Sequence, residues 1–157
     1  MPLTLILGAM FAGKTTELLR HRRGKTLILN HEKDTRTGDS VRTHDGVVIP
    51  AVKCSEIKVD GAYDTVLIDE GQFFESLDGV ETLAPTVVVA GLSGDYLRRP
   101  FGRLLDLIPK ASKVIFLYAI CSGCGGEAAF TKRLSSEESV YSVNSEYIPV
   151  CEQCYKK

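Results

Sequence analysis

The sequence predicts an α/β fold, a parallel sheet flanked by helices, with a small cysteine-rich domain at its C-terminal end. Three observations predict it. Short apolar runs recur at intervals and do not alternate with polar residues, as in strands buried on both faces of a parallel sheet. A glycine-rich loop, GAMFAGKTT, joins the first run to a helical stretch. From Cys121 onward the composition turns to Gly, Ser, Cys and polar residues.

The elements follow in order. Leu3 to Leu7, Thr26 to Asn30, Thr65 to Ile68, Thr86 to Ala90 and Val114 to Ile120 read as strands, rich in Val, Ile and Leu. Lys14 to Arg23 reads as a helix that buries Leu18 and Leu19 and ends at Gly24, its basic tail offsetting the helix dipole. Residues 31 to 46 are polar and read as a loop. Ser76 to Leu83 suits one short helix stopped at Pro85, and Arg98 to Ile108 a second, opened by Pro100. A boundary near residue 119 divides a nucleotide-binding core, 1–118, from a small domain, 119–157.

With 157 residues, 44% hydrophobic and 25% charged, the chain has the make-up of a soluble globular protein. A net charge of -1 offers no field to hold a nucleic acid polymer. No apolar run reaches the roughly 20 residues that span a membrane, and no signal peptide is expected. A reducing, cytoplasmic setting is the expectation.

The loop carries the first chemistry. Gly8 and Gly13 bracket Ala9, Met10, Phe11 and Ala12, and Lys14, Thr15 and Thr16 follow, the phosphate-binding spacing G-x-x-x-x-G-K-[ST]. Its glycines let the backbone wrap phosphate oxygens, Lys14 reaches the outer phosphates, and the Thr15 hydroxyl suits Mg²⁺. A P-loop NTPase core binding ATP follows. Such a loop serves a hydrolase, a switch or a transferase alike. The strand in TVLIDEGQFF ends on Asp69, where these proteins place a second Mg²⁺-holding carboxylate. Glu70 follows, able either to orient water or to take a hydroxyl proton.

Cys121 and Cys124, then Cys151 and Cys154, form two C-x-x-C pairs, the knuckles of a tetrahedral structural Zn²⁺ site. Two disulfides or a redox pair are the competing readings. The zinc would fasten residues 125 to 150, with Thr131, Tyr141 and Tyr147, as a lid over a ligand or as a nucleic-acid-binding ribbon. The acidic Glu127, Glu137, Glu138 and Glu146 weaken the ribbon. Cys54 stands apart as a structural or surface thiol. His21, His31 and His44 flank no nucleophile.

The motifs in order, GAMFAGKTTELL, DTR, THD, IDEGQFF, RRPFG, AAFTKRL and the two C-x-x-C pairs, resemble the zinc-containing P-loop class of thymidine kinases over essentially the whole chain. The resemblance implies transfer of the γ-phosphate of ATP to the 5′-hydroxyl of thymidine, with deoxyuridine also accepted. It implies a homotetramer, one Zn²⁺ per subunit and feedback inhibition by deoxythymidine triphosphate (dTTP). It makes Glu70 the base, sets Thr15 and Asp69 on the Mg²⁺ side with Gln72 beside the cofactor, and puts Arg36 near the phosphates. Phe73, Leu92, Tyr96 and Phe101 would enclose the base, with Met10 near the pyrimidine 5-position. A lasso, here Tyr141, Ser142, Val143, Asn144 and on to Tyr147, would grip it through backbone groups. Against the family pattern the lasso, the first helix and the helix after QFF are shortened, which suggests a viral or phage-encoded enzyme working in the host cytoplasm. Ser93 and Asp95 stand where the family order L-D-G-T-F has its acid earlier, moving a charge near the site.

Overall fold

The structure is a computed structural model, and it describes residues 3–33, 40–42, 46–134 and 146–157. Arg36 and the DTR segment, His44, and the lasso residues Tyr141, Ser142, Val143 and Asn144 lie outside the described residues.

Strand β1 (Leu3–Gly8) leads through the phosphate-loop segment into helix α1 (Lys14–Leu19) and then β2 (Thr26–His31). Strands β3 (Ser40–Arg42) and β4 (Val48–Pro50) form a small antiparallel pair, and β5 (Val52–Cys54) returns to the main sheet. Then come β6 (Thr65–Asp69), β7 (Thr86–Leu92) and β8 (Lys113–Leu117). The main sheet has six strands in the order β5-β2-β6-β7-β1-β8, and every pairing in it is parallel.

The central strands are buried on both faces, as their unbroken apolar runs require. Leu5, Leu7, Val66, Ile68, Val87 and Val89 pack on one side, and Ile6, Leu67, Val88 and Ala90 on the other. Leu18 and Leu19 of α1 cover the second side. The first is covered by Phe74, Leu77, Val80, Leu104 and Leu107, on irregular chain and 3₁₀ turns.

The flanking helices are therefore shorter than the sequence predicts. α1 stops at Leu19; residues 20 to 22 wind down through Arg20, His21 and Arg22 N–H bonds to carbonyls three residues back. The Arg23 carbonyl is already held by the Thr65 hydroxyl at 2.8 Å. In the Ser76 to Leu83 stretch Gly79 takes φ 75°, and only a 3₁₀ turn, Val80–Thr82, follows. In the Arg98 to Ile108 stretch Arg98 (φ 62°) and Gly102 (φ 63°) are left-handed. The 3₁₀ helix Leu104–Lys110 forms instead, with Pro109 inside it. The run Val114 to Ile120 also divides. β8 is an edge strand whose Val114 and Phe116 are exposed, and Ala119–Ile120 forms β9 of a separate pair.

Beyond β8, β9 pairs with β10 (Glu127–Ala128), and β11 (Phe130–Arg133) with β12 (Tyr147–Val150). Helix α2 (Glu152–Tyr155) ends the chain. Ala119, Cys121, Ala128, Val150 and Cys154 form a third core cluster, against which Ala12 of the phosphate loop also packs. Among the described residues, no helix is long and apolar enough to cross a membrane.

Candidate active site

Parallel strands present their C-terminal ends along one edge, where open α/β sheets bind ligands. Gly8 pairs with Leu92 there, and Asn30 with Asp69. A Cβ on Gly8 would stand 2.5 Å from the Leu117 carbonyl oxygen, so the loop can leave β1 this close to β8 only on glycine. Phe11 (φ 64°) and Gly13 (φ 84°) are both left-handed, as in the backbone nests that hold anions. Lys14 lies at the start of α1, and its Nζ donates to the Ala9 carbonyl at 2.5 Å across the loop.

The Thr15 hydroxyl donates to Asp69 Oδ2 at 2.8 Å, so the two residues expected to share Mg²⁺ are in contact. Asp69 is buried at the end of β6. Burial first, and the Glu70 charge second, push its carboxyl up to about 7, against the Thr15 hydroxyl, the Glu70 N–H and Lys14. A carboxylate so placed gains from a bound cation, which fits a Mg²⁺ ligand.

Glu70 has φ 55° and ψ 43°, a left-handed conformation costly for a residue with a side chain and common at functional sites. The Gln72 amide nitrogen donates to Glu70 Oε2 at 2.5 Å, and its oxygen accepts the Leu92 N–H at 3.1 Å. Gln72, expected beside the cofactor, thus joins Glu70 to the end of β7. A side chain on Gly91 would collide with that amide, its Cβ 2.5 Å from Gln72 Oε1. This bridge was not legible in the sequence, since two strand ends had to be placed before one amide could span them.

Phe73 and Phe101 meet edge to face at 5.6 Å between centroids. His31 extends this cluster, 5.8 Å from Phe73 and 4.7 Å from Phe74. It is buried at the end of β2, and its Nδ1 accepts the Lys33 N–H at 3.0 Å. Desolvation, then Lys33, lower its pKa. The Thr131 hydroxyl accepts the Met10 N–H at 3.2 Å, tying β11 to the phosphate loop. Tyr96 and Tyr147 flank the buried Arg133 guanidinium at 4.7 and 5.7 Å. Asp95 brings no free charge to the site: its carboxylate accepts the Leu97 and Arg99 N–H groups at 2.9 Å each and pairs with the Arg99 side chain at 3.1 Å.

The sulfur atoms of Cys121, Cys124, Cys151 and Cys154 lie within 4.8 Å of one another. Ligands on a tetrahedral zinc would stand about 3.8 Å apart at Zn–S distances of ~2.3 Å. Cys121 Sγ accepts the Gly123 and Cys151 N–H groups at 3.4 and 3.3 Å. Burial raises this thiol, but the N–H groups of Cys151, Gly123 and Cys124 outweigh it and bring it down to about 6. The cluster can hold a cation such as Zn²⁺, with all four positions closed. Cys54 stands apart at the end of β5, its pKa raised by burial and by Glu32.

The family profile described as thymidine kinase matches residues 1–155. The thymidine kinase of Myxoma virus (strain Uriarra) is 38% identical, over 96% of this chain and 94% of its own length. The human protein described as "Thymidine kinase, cytosolic" is 40% identical, over 98% of this chain and 72% of its own length. Thymidine kinase 1 of Dictyostelium discoideum is 36% identical, over 96% of this chain and 76% of its own length. The phosphate loop, the Thr15–Asp69 contact and the four-cysteine cluster occur together in a chain that matches this profile almost from end to end, and the chain belongs to the thymidine kinase family.

Proposed function

We propose that this protein transfers the γ-phosphate of ATP to the 5′-hydroxyl of thymidine, and of deoxyuridine, in nucleotide salvage. The observation that carries the reading is Glu70, held left-handed by the strand end and by Gln72, beside a buried Asp69 already bonded to Thr15. Glu70 takes the 5′-hydroxyl proton as the phosphoryl group arrives. Lys14 and the loop N–H groups offset charge on the phosphates, and Arg36 adds to this. Thr15 and Asp69 hold Mg²⁺, which when bound neutralises charge on the outer phosphates. The Phe73–Phe101 pair, with Leu92, Tyr96, Thr131, Tyr147 and Met10, encloses the pyrimidine, and the lasso 141–144 closes over it.

Zn²⁺ in the cysteine cluster fastens residues 119–157 as a separate small domain. The chain assembles as a homotetramer, a reading supported by the exposed Val114 and Phe116 on edge strand β8 and by Tyr118 and Ile120 just beyond it. dTTP acts as a feedback inhibitor, and the location is cytoplasmic, as the human relative's description suggests.

Glu70→Gln tests the role of the base. Transfer should fall by ~10²-fold or more, the range of general-base catalysis, with ATP affinity kept. Unchanged transfer in that variant would remove Glu70 from the step.

A further inference from the structure

We infer that Arg98 and Tyr155 position the nucleoside, by tying the loop that carries Tyr96 to the cysteine-bearing end of the chain. This rests on the thymidine kinase reading and adds two residues to it.

The turn after β7 is complete without their side chains. Asp95 accepts the Leu97 and Arg99 N–H groups, and its own N–H donates to the Arg99 carbonyl at 2.9 Å. These bonds lie within the turn itself, and Ser93, just before it, donates its N–H to the Gly8 carbonyl at 3.2 Å. Arg98 and Tyr96 tie the turn to further partners far away in sequence. The Arg98 guanidinium lies 4.3 Å from the Tyr155 ring centroid and 5.1 Å from that of Phe130, and pairs with Glu152 at 2.7 Å. The Tyr155 hydroxyl donates to the Tyr96 carbonyl at 2.7 Å. Arg133 meets the Tyr96 ring from β11.

An exposed ion pair alone holds little, but a guanidinium set against two adjacent rings with a carboxylate at its end is fixed in direction as well as charge. Arg98 keeps a left-handed backbone, φ 62°, to reach it. Glu152 and Tyr155 lie on α2, which starts after Cys151 and contains Cys154. The clamp therefore runs from the four-cysteine cluster to the Tyr96 backbone. None of these hydrogen bonds, ion pairs or ring contacts is made with the phosphate loop or Glu70, so the effect falls on the nucleoside side.

Two variants probe it in steady-state assays with γ-labelled ATP. Tyr155→Phe removes one O–H and keeps the ring under Arg98. Arg98→Asn removes the cation but tolerates the left-handed backbone. For each, KM for thymidine should rise by about 3- to 10-fold, the worth of one lost hydrogen bond or cation–ring contact. kcat and KM for ATP should stay within about twofold, and bound metal per chain should not change. On a Tyr96→Ala background Tyr155→Phe should add nothing, because both act through one residue. An unchanged thymidine KM, an equal rise in both KM values, or full additivity with Tyr96→Ala would overturn the clamp while leaving the kinase reading standing. A wild-type protein that labels no thymidine would overturn both.

Discussion

His31 carries a consequence at the scale of a single residue. It is buried against Phe73 and Phe74 as neutral imidazole, with Nδ1 accepting an N–H and its pKa below the usual 6.5. Below pH 6.5 the unfolded chain takes up this proton before the folded one does. The contribution of His31 to stability is thus full above pH 6.5 and declines as pH falls toward the lowered value. Urea unfolding of wild type and His31→Phe at pH 7.5 and 5.5 measures it. The wild type should lose more stability on acidification than the variant, and equal losses would place the imidazole in water. The sequence put this histidine just past a strand, where it looked ordinary. Its burial depends on aromatics 42 and 43 positions onward, which no local pattern reveals. Thr15, Asp69 and Glu70 were legible because a loop spacing and a strand end fix them locally.

Elements were legible where burial dictated their pattern. The central strands were found because a parallel strand covered on both faces must be apolar throughout. Three short strands were not: β3, β4 and β5 have only three residues each, and Val52 and Val48 are exposed. The helices were over-read for a different reason. Apolar spacing at Ser76 to Leu83 and Arg98 to Ile108 is real, but left-handed Gly79 and Gly102 break the winding and leave 3₁₀ turns. The C-x-x-C pairs needed no fold to be read, since each knuckle is one tight turn. What the fold adds is how closely the two knuckles meet: a Cβ on Gly123 would stand 2.6 Å from Cys154 Sγ. Cys154→Ser should remove stoichiometric zinc and lower the stability of the 119–157 region by at least ~3 kcal/mol, since binding energy at such sites is folding energy. Metal analysis alongside thermal melts checks it, and full zinc in the variant would mean the ligand set is wrong.

Across the whole molecule, two parts converge on one edge of the sheet. The core brings the phosphate loop, Asp69 and Glu70; the cysteine-bearing end brings Thr131 to Met10 and Tyr155 to Tyr96. Phosphoryl transfer needs little covalent work from a protein and much positioning, so a second part tied to the loops at this edge fits a transferase better than a hydrolase. A hydrolase need only admit water. The most direct test is to incubate the intact protein with γ-labelled ATP, Mg²⁺ and thymidine and locate the label. Label should appear on thymidine 5′-monophosphate, with little as free phosphate; label released only as phosphate, whether or not thymidine is present, would contradict transfer to the nucleoside.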